Sequence, residues 1–419
     1  MTASSTRRRS RSARHIPIPQ QGVWPGLTEV PNSPLRARIA ASLFRRAVRG
    51  LPVRVVLPSG RVLGAGGPDA PVMHLHRPAA FFHRLGADAK IGFGEAYMVG
   101  DWTSPEPADL LTPFAARMST LIPRRLQSLR RLAERVQPDT EENTLPGARE
   151  NIHRHYDLSN ELFTAFLDQS MTYSSALFGP GETDLHAAQL RKIDGVLDFA
   201  SVGPESHVLE IGTGWGALAI RAAQRGARVT TLTISAEQRK LAERRIAEAG
   251  VADRVQVLMR DYREAQGHYD AVVSVEMIEA VGRQYWPTYF GTLDRLLKPG
   301  GKVGLQAITM PHDRMLAAAN AYTWIHKYVF PGGLIPSVES IGEAVSEYTG
   351  LRVVQDRAFG QDYALTLRLW RKRFLDNWEE VAAQGFDETF RRMWEFYLAY
   401  SEAGFRAGYL DVHQLSLAK

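Results

Sequence analysis

The sequence contains no cysteine among its 419 residues. Disulfide bonds, thiolate metal sites and cysteine nucleophiles are therefore excluded, and any catalysis must use other side chains. No uncharged apolar run reaches the roughly eighteen residues that a membrane-spanning helix needs. The first residues also lack the apolar core of a secretion signal, so we expect a cytoplasmic protein.

Positive charge is in excess, with a formal net charge of +6, and 44% of the residues are hydrophobic. This composition is that of a soluble globular protein, and the length is sufficient for two domains. A basic balance suits nucleic acid or an anionic lipid surface. Because the basic residues cluster near the N-terminus instead of following a groove, we expect lipid and no nucleic acid.

The N-terminal segment is rich in arginine. Residues 1–15 carry five arginines among serine and threonine, which predicts a disordered basic tail, either simply solvated or acting as a membrane tether. Ser33–Arg49 predicts a basic helix with Ser33 as its N-cap. Its apolar residues would pack on their own domain or lie on a membrane. They are Leu35, Ile39, Leu43 and Val48.

A small N-terminal α+β domain is predicted over 16–136, with a function in lipid capture. It would contain a hairpin turning at Pro58–Gly60 and helices near 79–85 and 108–118, the second kinked or split by Pro113. Lys90–Trp102, rich in glycine and aromatic residues, is expected to form a binding groove or a tight corner. The polar stretch 137–150 predicts a linker, and 151–419 the second domain.

The second domain alternates apolar strand patterns with helical ones. This alternation predicts an α/β fold with a doubly wound, Rossmann-like parallel sheet. The predicted strands are His207–Ile211, Arg228–Thr233, Val255–Met259, Tyr269–Val275 and Gly301–Ile308. The clearest helical patterns are Ala236–Ala249 and Gln284–Leu297.

Val208–Gly216, V-L-E-I-G-T-G-W-G, is the most informative stretch. An apolar run that ends in alternate glycines predicts a buried strand turning sharply into a helix, with the backbone close to a nucleotide-like ligand. The pattern is neither G-x-G-x-x-G nor a P-loop, so a dinucleotide and a nucleoside triphosphate are disfavoured. An ordinary strand-to-helix turn is the alternative. The residues in question are Glu210, Gly212, Gly214 and Gly216.

Several ordered motifs resemble the cyclopropane-fatty-acid synthase family, whose members methylate cis double bonds in lipid acyl chains. The resemblance runs from about Asn151 to the C-terminus, and it is closest to the actinobacterial branch that makes methylene-branched, tuberculostearic-type chains. The motifs are His155–Phe163, Met171–Ala176, the glycine loop, L-T-I-S-x-x-Q at Leu232–Gln238, Val273–Gly282, Gln306–His312, Lys327–Gly333, Asp362–Trp370 and Tyr397–Arg406.

The resemblance implies S-adenosylmethionine as cofactor. Beside the glycine loop, it implies cofactor contacts at the ends of the next strands and in the Met171–Ala176 motif. Thr233 stands where many nucleotide-binding Rossmann folds place an acidic residue for the ribose hydroxyls. The implied contacts are Tyr173, Ser174, Thr233, Ile234, Gln238, Asp261 and Tyr262.

The resemblance also implies Glu279 and Tyr363 as active-site residues that help to hold a bicarbonate ion, together with a cysteine and a histidine. This chain has Ser175 at the cysteine position and Gln306 at the histidine position, and Ala280 follows Glu279. These departures count against bicarbonate and against a cyclopropane product.

The reaction can be argued from chemistry alone. An alkene must be held against the sulfonium methyl in a dry pocket, and aromatic faces would stabilise the carbocation that results. Candidate aromatic residues are Tyr322, Trp324, Tyr328 and Phe330, and Glu279 is the predicted base. We expect no metal site, because the histidines show no tight metal spacing.

The expected function is methyl transfer to the cis double bond of an oleoyl-type phospholipid, giving a mid-chain methylene branch. A separate reductase would complete the methyl branch, since no nicotinamide or flavin motif is present. The alternatives are a cyclopropane synthase and a non-catalytic lipid-binding protein. We also expect association with the inner face of an anionic membrane, and leave a homodimer open.

Overall fold

A computed structural model describes residue 24 and the ranges 26–118, 159–319 and 321–419. The basic tail predicted at 1–15 and the linker predicted at 137–150 lie outside these residues, so the proposed domain boundaries stay predictions. No helix in the described part of the chain is long and apolar enough to cross a membrane.

Within residues 26–118, the N-terminal region contains four helices and a four-stranded sheet with the order β2-β1-β3-β4. The predicted hairpin is present, because β1 and β2 pair antiparallel with Val56 opposite Val62. The helices are α1 (Pro34–Val48), α2 (Pro78–Ala87), α3 (Ala89–Met98) and α4 (Pro107–Ala116). The strands are β1 (Arg54–Val56), β2 (Val62–Leu63), β3 (Val72–Leu75) and β4 (Trp102–Thr103).

Helix α1 confirms the predicted basic helix, but its buried face differs from the one expected. Val48 is buried as predicted, whereas Leu35, Ile39 and Leu43 are 70%, 52% and 36% exposed. Small side chains explain the difference, since they let α1 approach α2 closely: a Cβ added at Gly86 would lie 2.7 Å from the backbone of α1. The buried residues of α1 are Ala37, Ala41, Phe44 and Val48.

Two further N-terminal expectations are corrected in part. Most of Lys90–Trp102 is not a tight corner but forms α3, which begins at an Asp88 side chain that accepts from two backbone N–H groups. A binding groove along this segment stays a prediction. Pro113 lies inside α4 without splitting it. Burial of Leu110 and Leu111 in the core compensates for the hydrogen bond that proline cannot donate.

The second half of the chain forms a seven-stranded sheet with the order β10-β11-β9-β8-β5-β6-β7. Strands β9, β8, β5, β6 and β7 are parallel, and β11 is antiparallel to both of its neighbours. The predicted Rossmann-like α/β fold is confirmed. The strands are β5 (His207–Ile211), β6 (Arg228–Thr233), β7 (Val255–Met259), β8 (Tyr269–Val275), β9 (Leu297–Thr309), β10 (Arg352–Ala358) and β11 (Asp411–Ala418).

Eleven further α-helices of the described residues connect or flank these strands. Both predicted helical patterns are confirmed, as α8 and α9. The helices are α5 (Asn160–Phe166), α6 (Leu185–Phe199), α7 (Ala217–Gln224), α8 (Ala236–Glu248), α9 (Trp286–Leu296), α10 (His312–Ala318), α11 (Trp324–Tyr328), α12 (Val338–Tyr348), α13 (Gly360–Asp376), α14 (Trp378–Ala383) and α15 (Glu388–Arg406).

The strand order reverses between β5 and β8, which are neighbours in the sheet although β6 and β7 separate them in the chain. In open α/β sheets a ligand binds at the carboxyl ends of the strands at such a reversal. The glycine loop follows β5 at this edge, and Glu276 to Glu279 follow β8. The topology therefore brings these two segments together.

The N-terminal region shares a hydrophobic core with the C-terminal helices. Phe396 of α15 packs against Phe93 and Trp102, with ring centroids 6.3 and 6.2 Å apart. Ion pairs join the same parts: Arg371 to Glu106 at 3.0 Å and Arg406 to Asp109 at 2.6 Å. The first region is therefore packed on helices that also carry site residues, including Tyr363 of α13.

Candidate active site

The glycine loop adopts a backbone that L-residues with side chains rarely take. Gly212, Gly214 and Gly216 have φ values of 98°, 51° and 88°, and Gly216 is the N-cap of α7. A Cβ at Gly212 would lie 3.2 Å from the Met277 side chain, which places this loop against the segment after β8. All three positions thus need glycine for conformation, and Gly212 and Gly216 also need it for space.

Glu210 lies in β5 with its side chain buried in the sheet region. Its Oε2 accepts a 2.6 Å hydrogen bond from the Thr231 hydroxyl. Burial raises the pKa of Glu210 to about 8, against the lowering effects of Thr231 and Lys192. The predicted contact of Glu210 with the cofactor stays a prediction.

The carboxyl ends of β6 and β7 carry the other predicted cofactor residues. The Thr233 hydroxyl donates to Gln238 Oε1 at 3.0 Å and accepts from the Ser235 backbone, which fixes the turn that contains Ile234. These bonds explain why threonine and glutamine occur five residues apart. After β7, Asp261 pairs with Arg263 at 2.8 Å, and Tyr262 packs edge-on against Tyr289.

Tyr173 and Ser174 lie beside the same edge. The Tyr173 and Tyr397 hydroxyls are 2.8 Å apart, and the Ser174 hydroxyl accepts from Lys192 Nζ at 2.6 Å. Burial lowers the pKa of Lys192 to about 8, although Glu276 and other nearby carboxylates oppose the shift. The charge of Lys192 interacts with that of Glu276, the first residue after β8.

A carboxylate that the sequence analysis did not single out, Glu276, is the centre of the site. Its Oε1 accepts from the Ser175 backbone N–H at 2.9 Å and from Gln306 Nε2 at 2.8 Å. Its Oε2 accepts from the Tyr363 hydroxyl at 3.0 Å. Three of the four residues predicted as catalytic therefore contact Glu276.

The amide of Gln306 is oriented by a second glutamine. Gln414 Nε2 donates to Gln306 Oε1 at 2.9 Å, so the Gln306 NH₂ group faces Glu276. Burial raises the pKa of Glu276, while Lys192 and the three hydrogen bonds oppose that rise. The hydrogen bonds and Lys192 favour the ionised carboxylate, but burial has the larger effect and the net shift of the pKa is upward.

The site does not suit a bicarbonate ion. The donors that would hold such an anion at the predicted positions are the Ser175 N–H, the Gln306 amide and the Tyr363 hydroxyl, and all three donate to Glu276. A second anion beside this carboxylate would be repelled without gaining those bonds.

Glu279 lies close enough to Glu276 for their charges to interact. Its Oε1 accepts from the Ile308 backbone N–H, whereas its Oε2 is enclosed and has no hydrogen-bond partner. Burial, and then the charge of Glu276, raise the pKa of Glu279 to about 8. The charge of Glu276 thus adds to burial in favouring the protonated form of Glu279.

The four predicted aromatic residues pack against different parts of the protein. Phe330 packs edge-on against Tyr397, the partner of Tyr173, and the nearby Leu334 N–H donates to the Glu279 carbonyl at 2.7 Å. Trp324 and Tyr328 instead lie against α3, where Trp324 donates to Met98 and Tyr328 donates to Glu95. Tyr322 stacks on His326, with ring centroids 6.1 Å apart.

One group among the described residues has ligand atoms close enough to hold a metal ion. His312, Glu339 and Glu343 place these atoms within 4.8 Å of one another. Both carboxylates are exposed, and His312 Nδ1 already lies 2.8 Å from the Ser337 hydroxyl. The expectation that the chain has no metal site stays a prediction.

Comparisons with known proteins identify what the chain is similar to. Residues 144–415 match the family model described as mycolic acid cyclopropane synthetase. The tuberculostearic acid methyltransferase UfaA1 of Mycobacterium tuberculosis is 52% identical over 94% of this chain and 95% of its own length. The cyclopropane-fatty-acyl-phospholipid synthase of Escherichia coli K12 is 34% identical over 81% of this chain and 86% of its own.

Among solved structures, mycolic acid cyclopropane synthase CmaA1, in complex with SAH and CTAB, is 29% identical. It covers 68% of this chain and 99% of its own, with a TM-score of 0.60. The similarity therefore extends over the whole of the second half of the chain.

Proposed function

The chain belongs to the mycolic acid cyclopropane synthetase family, and we propose that it methylates the cis double bond of an oleoyl-type phospholipid acyl chain. The proposed product is a mid-chain methylene branch, the precursor of a tuberculostearic-type methyl branch. The protein is an S-adenosylmethionine-dependent methyltransferase that acts on lipid alkenes, as its relatives are. The adjacency of the glycine loop and the carboxylate pair, with Gly212 against Met277, is the observation that carries the proposal.

The residues at the carboxyl ends of the strands fit the cofactor, which supplies the methyl group. The left-handed glycines leave the backbone of the loop open to a ligand, and a Cβ at Gly214 would meet no atom within 4 Å. Thr233 with Gln238 and Asp261 with Tyr262 stand at the neighbouring strand ends, where the ribose and base of a nucleotide-like ligand are bound in this fold class. A relative at 29% identity holds SAH, the demethylated form of the same cofactor.

The surrounding side chains suit a cationic intermediate. Holding the alkene in line with the methyl group supplies roughly 7–11 kcal/mol of the barrier. Tyr363 reaches the carboxylate pair through its hydroxyl, and Phe330 belongs to the segment whose Leu334 N–H donates to the Glu279 carbonyl. Aromatic faces stabilise a desolvated cation by about 2 kcal/mol. The proton that the cation must lose then passes to a carboxylate of the pair.

The choice of product depends on when that proton leaves. Immediate loss from the new methyl group closes a cyclopropane, whereas a prior hydride shift from the methyl-bearing carbon leads to an exocyclic methylene. Ser175, Ala280 and Gln306 depart from the cyclopropane pattern in this chain, which favours the methylene. A separate reductase would then be needed to form the methyl branch.

The proposal is tested by incubating the purified chain with labelled S-adenosylmethionine and oleoyl phospholipid vesicles. We expect label in the acyl chain and loss of the product's unsaturation on mild hydrogenation. A labelled product that survives mild hydrogenation would be a cyclopropane and would overturn the methylene. Absence of labelled lipid, with cofactor bound, would leave a lipid-binding protein.

Helix α1 supports peripheral association with an anionic membrane as part of the same proposal. Leu35, Ile39 and Leu43 form an exposed apolar stripe, one turn apart, on a helix whose arginines are also exposed. A basic helix of this kind lies in a membrane interface with its apolar side inserted. The exposed arginines are Arg36, Arg38, Arg45 and Arg46.

The membrane proposal is tested by vesicle sedimentation. Each arginine near an anionic surface is worth about 1 kcal/mol, so Arg45→Gln with Arg46→Gln should weaken binding by about tenfold or more. Salt should weaken wild-type binding as well. Val353→Ser with Val354→Ser, at an exposed apolar pair on β10, is the matched control for surface changes. Binding unchanged by salt and by the arginine changes would contradict the proposal.

A further inference from the structure

The backbone at Glu276 adopts a strained conformation. Its φ is 50°, in the left-handed region that favours glycine, and the residue is one of four described non-glycine residues with positive φ. Residues other than glycine persist there only when the surroundings hold them, and such sites cluster where function needs them. The conformation turns the carboxylate onto the Ser175 N–H, the Gln306 amide and the Tyr363 hydroxyl.

We propose that the Glu276 carboxylate is the base of the reaction and stands in the place of a bound bicarbonate ion. The inference rests on the proposed function and names the group that removes the proton. Three donors arranged around one anion form a binding site for a planar carboxylate or carbonate. In this chain the anion is covalently part of the protein, so the enzyme needs no dissociable base.

The Glu276–Glu279 pair has an asymmetry that suits this role. Glu276 receives three hydrogen bonds and the charge of Lys192, all of which favour its ionised form. Glu279 is favoured in its ionised form only by backbone N–H groups, that of Ile308 on Oε1 and its own, and its enclosed Oε2 has no partner. The proton of the pair therefore belongs on Glu279, and Glu276 is free to accept another.

The step balances without a further reactant. After methyl transfer and the hydride shift, the positive charge lies on the carbon that bears the new methyl group. Glu276 takes a proton from that methyl group: the C–H bond breaks, an O–H bond forms on the carboxylate, and the electron pair becomes the exocyclic C=C bond. The proton then passes to solvent when the lipid product leaves.

The test uses Glu276→Gly in the full chain, because glycine suits a φ of 50° and leaves space for a small anion. In bicarbonate-free buffer we expect wild-type turnover to be unchanged and the glycine variant to lose about 10²–10⁴-fold, the usual worth of a general base. Added bicarbonate or formate should restore part of the loss. Glu276→Gln should lose as much and gain nothing, since the amide fills the space.

Glu205→Gly is the matched control. Glu205 is an exposed glutamate with φ 62°, and it precedes β5, at the end of the strand opposite the glycine loop. It should leave turnover and the response to bicarbonate unaltered. Binding of ¹³C-bicarbonate, followed by NMR line width, gives a readout that does not need turnover. The glycine variant should bind the ion, and the wild type should not.

The inference is overturned if wild-type turnover requires bicarbonate, if the wild type binds the ion at this site, or if either Glu276 variant keeps full activity without it. A glycine variant that binds the cofactor but is restored by no small anion would also overturn it, by giving Glu276 a structural role. Absence of labelled lipid from the wild type defeats the proposed function instead, and the bicarbonate-binding result still decides whether Glu276 fills the anion site.

Discussion

Two turns at the same edge of the sheet follow the parallel neighbours β5 and β8. Both contain left-handed backbone positions, but different residues occupy them. After β5 the left-handed positions are glycines, with φ 98° at Gly212 and 51° at Gly214. After β8 the left-handed position is Glu276, with φ 50°. In the first turn the glycines leave the backbone uncovered by side chains. The second turn places a carboxylate at the same edge of the sheet.

The difference shows what each turn contributes. A bare turn lets a ligand approach the backbone, which is what a cofactor needs. A glutamate held in a left-handed conformation is strained, and that conformation fixes the position of its carboxylate. A Cβ added at Gly212 would lie 3.2 Å from the Met277 side chain, so the two turns approach each other closely. The proposed function therefore places the methyl donor beside the proposed proton acceptor.

Among variants of the residues that surround Glu276, the largest expected effect comes from removing one of its hydrogen-bond donors. Tyr363→Phe loses the hydroxyl that donates to Oε2, a hydrogen bond to a charged group worth about 1.5–3 kcal/mol. We expect turnover near neutral pH to fall by about 10- to 100-fold. The loss of a donor to the ionised form raises the pKa of Glu276, so the acid limb of the pH–rate profile should move up by about 1–2 pH units.

Tyr269→Phe is the matched control, because Tyr269 lies at the other end of β8 and donates only to the Gln266 carbonyl in the hydrogen bonds described here. Tyr269→Phe should not shift the acid limb of the pH–rate profile. If Tyr363→Phe lowers turnover without moving the acid limb, the hydroxyl acts on the substrate and not through Glu276.

A smaller effect is expected at the first turn. Gly212→Ala puts a side chain at φ 98° and 3.2 Å from Met277, with a cost of about 1–2 kcal/mol for the left-handed conformation. Cofactor affinity, measured by calorimetry, should fall about tenfold if the loop relaxes on losing glycine. Gly203→Ala, near the start of β5 where a Cβ meets no atom within 4 Å, should bind the cofactor normally. Equal affinities would show that the bare turn is not needed for binding.

The sequence predicted the inner sheet well and its edge poorly. Strands β5 to β8 begin and end at the predicted residues, because buried parallel strands are apolar runs bounded by turn residues. Strand β10 was missed since six of its seven residues are exposed, so it carries no apolar run. Strand β11 was missed because polar Gln414 and Ser416 are buried in it, satisfied by hydrogen bonds that a pattern cannot reveal.

Family motifs singled out most residues of the candidate site, but they did not predict how those residues are arranged. Ser175, Gln306 and Tyr363 were recognised from family motifs, and the contact between them depends on three distant segments meeting at one carboxylate. Glu276 carried one usable signal: an acidic residue directly after an apolar strand that neighbours the glycine-loop strand. Its left-handed backbone had no signal in the sequence, because nothing local favours that conformation for glutamate.

The smallest effect at neutral pH, and the one that best separates the two carboxylates, is expected from Glu279→Gln. If Glu279 is neutral during turnover, an amide replaces a carboxylic acid and turnover should change by less than about tenfold. If Glu279 is the base, as the sequence alone predicted, the loss should be about 10²–10⁴-fold at every pH. The enclosed Oε2 without a partner can hold either the proton or an amide NH₂ group.

The pH dependence of the wild type provides the second part of this test. The charged or titratable groups that interact with Glu279 are Glu276, Tyr289 on α9 and Tyr363 on α13. Because the pKa of Glu279 is raised from 4.5 to about 8, the fold favours its protonated form, and that stabilisation is lost as the pH rises through about 8. The melting temperature of the wild type should therefore fall as the pH rises from about 4.5 towards 8, turnover should fall as the pH rises through about 8, and Glu279→Gln should remove the decline in stability. A variant that melts with the same decline over this pH range would place the titrating group elsewhere, and the division of roles between Glu276 and Glu279 would then lose its support.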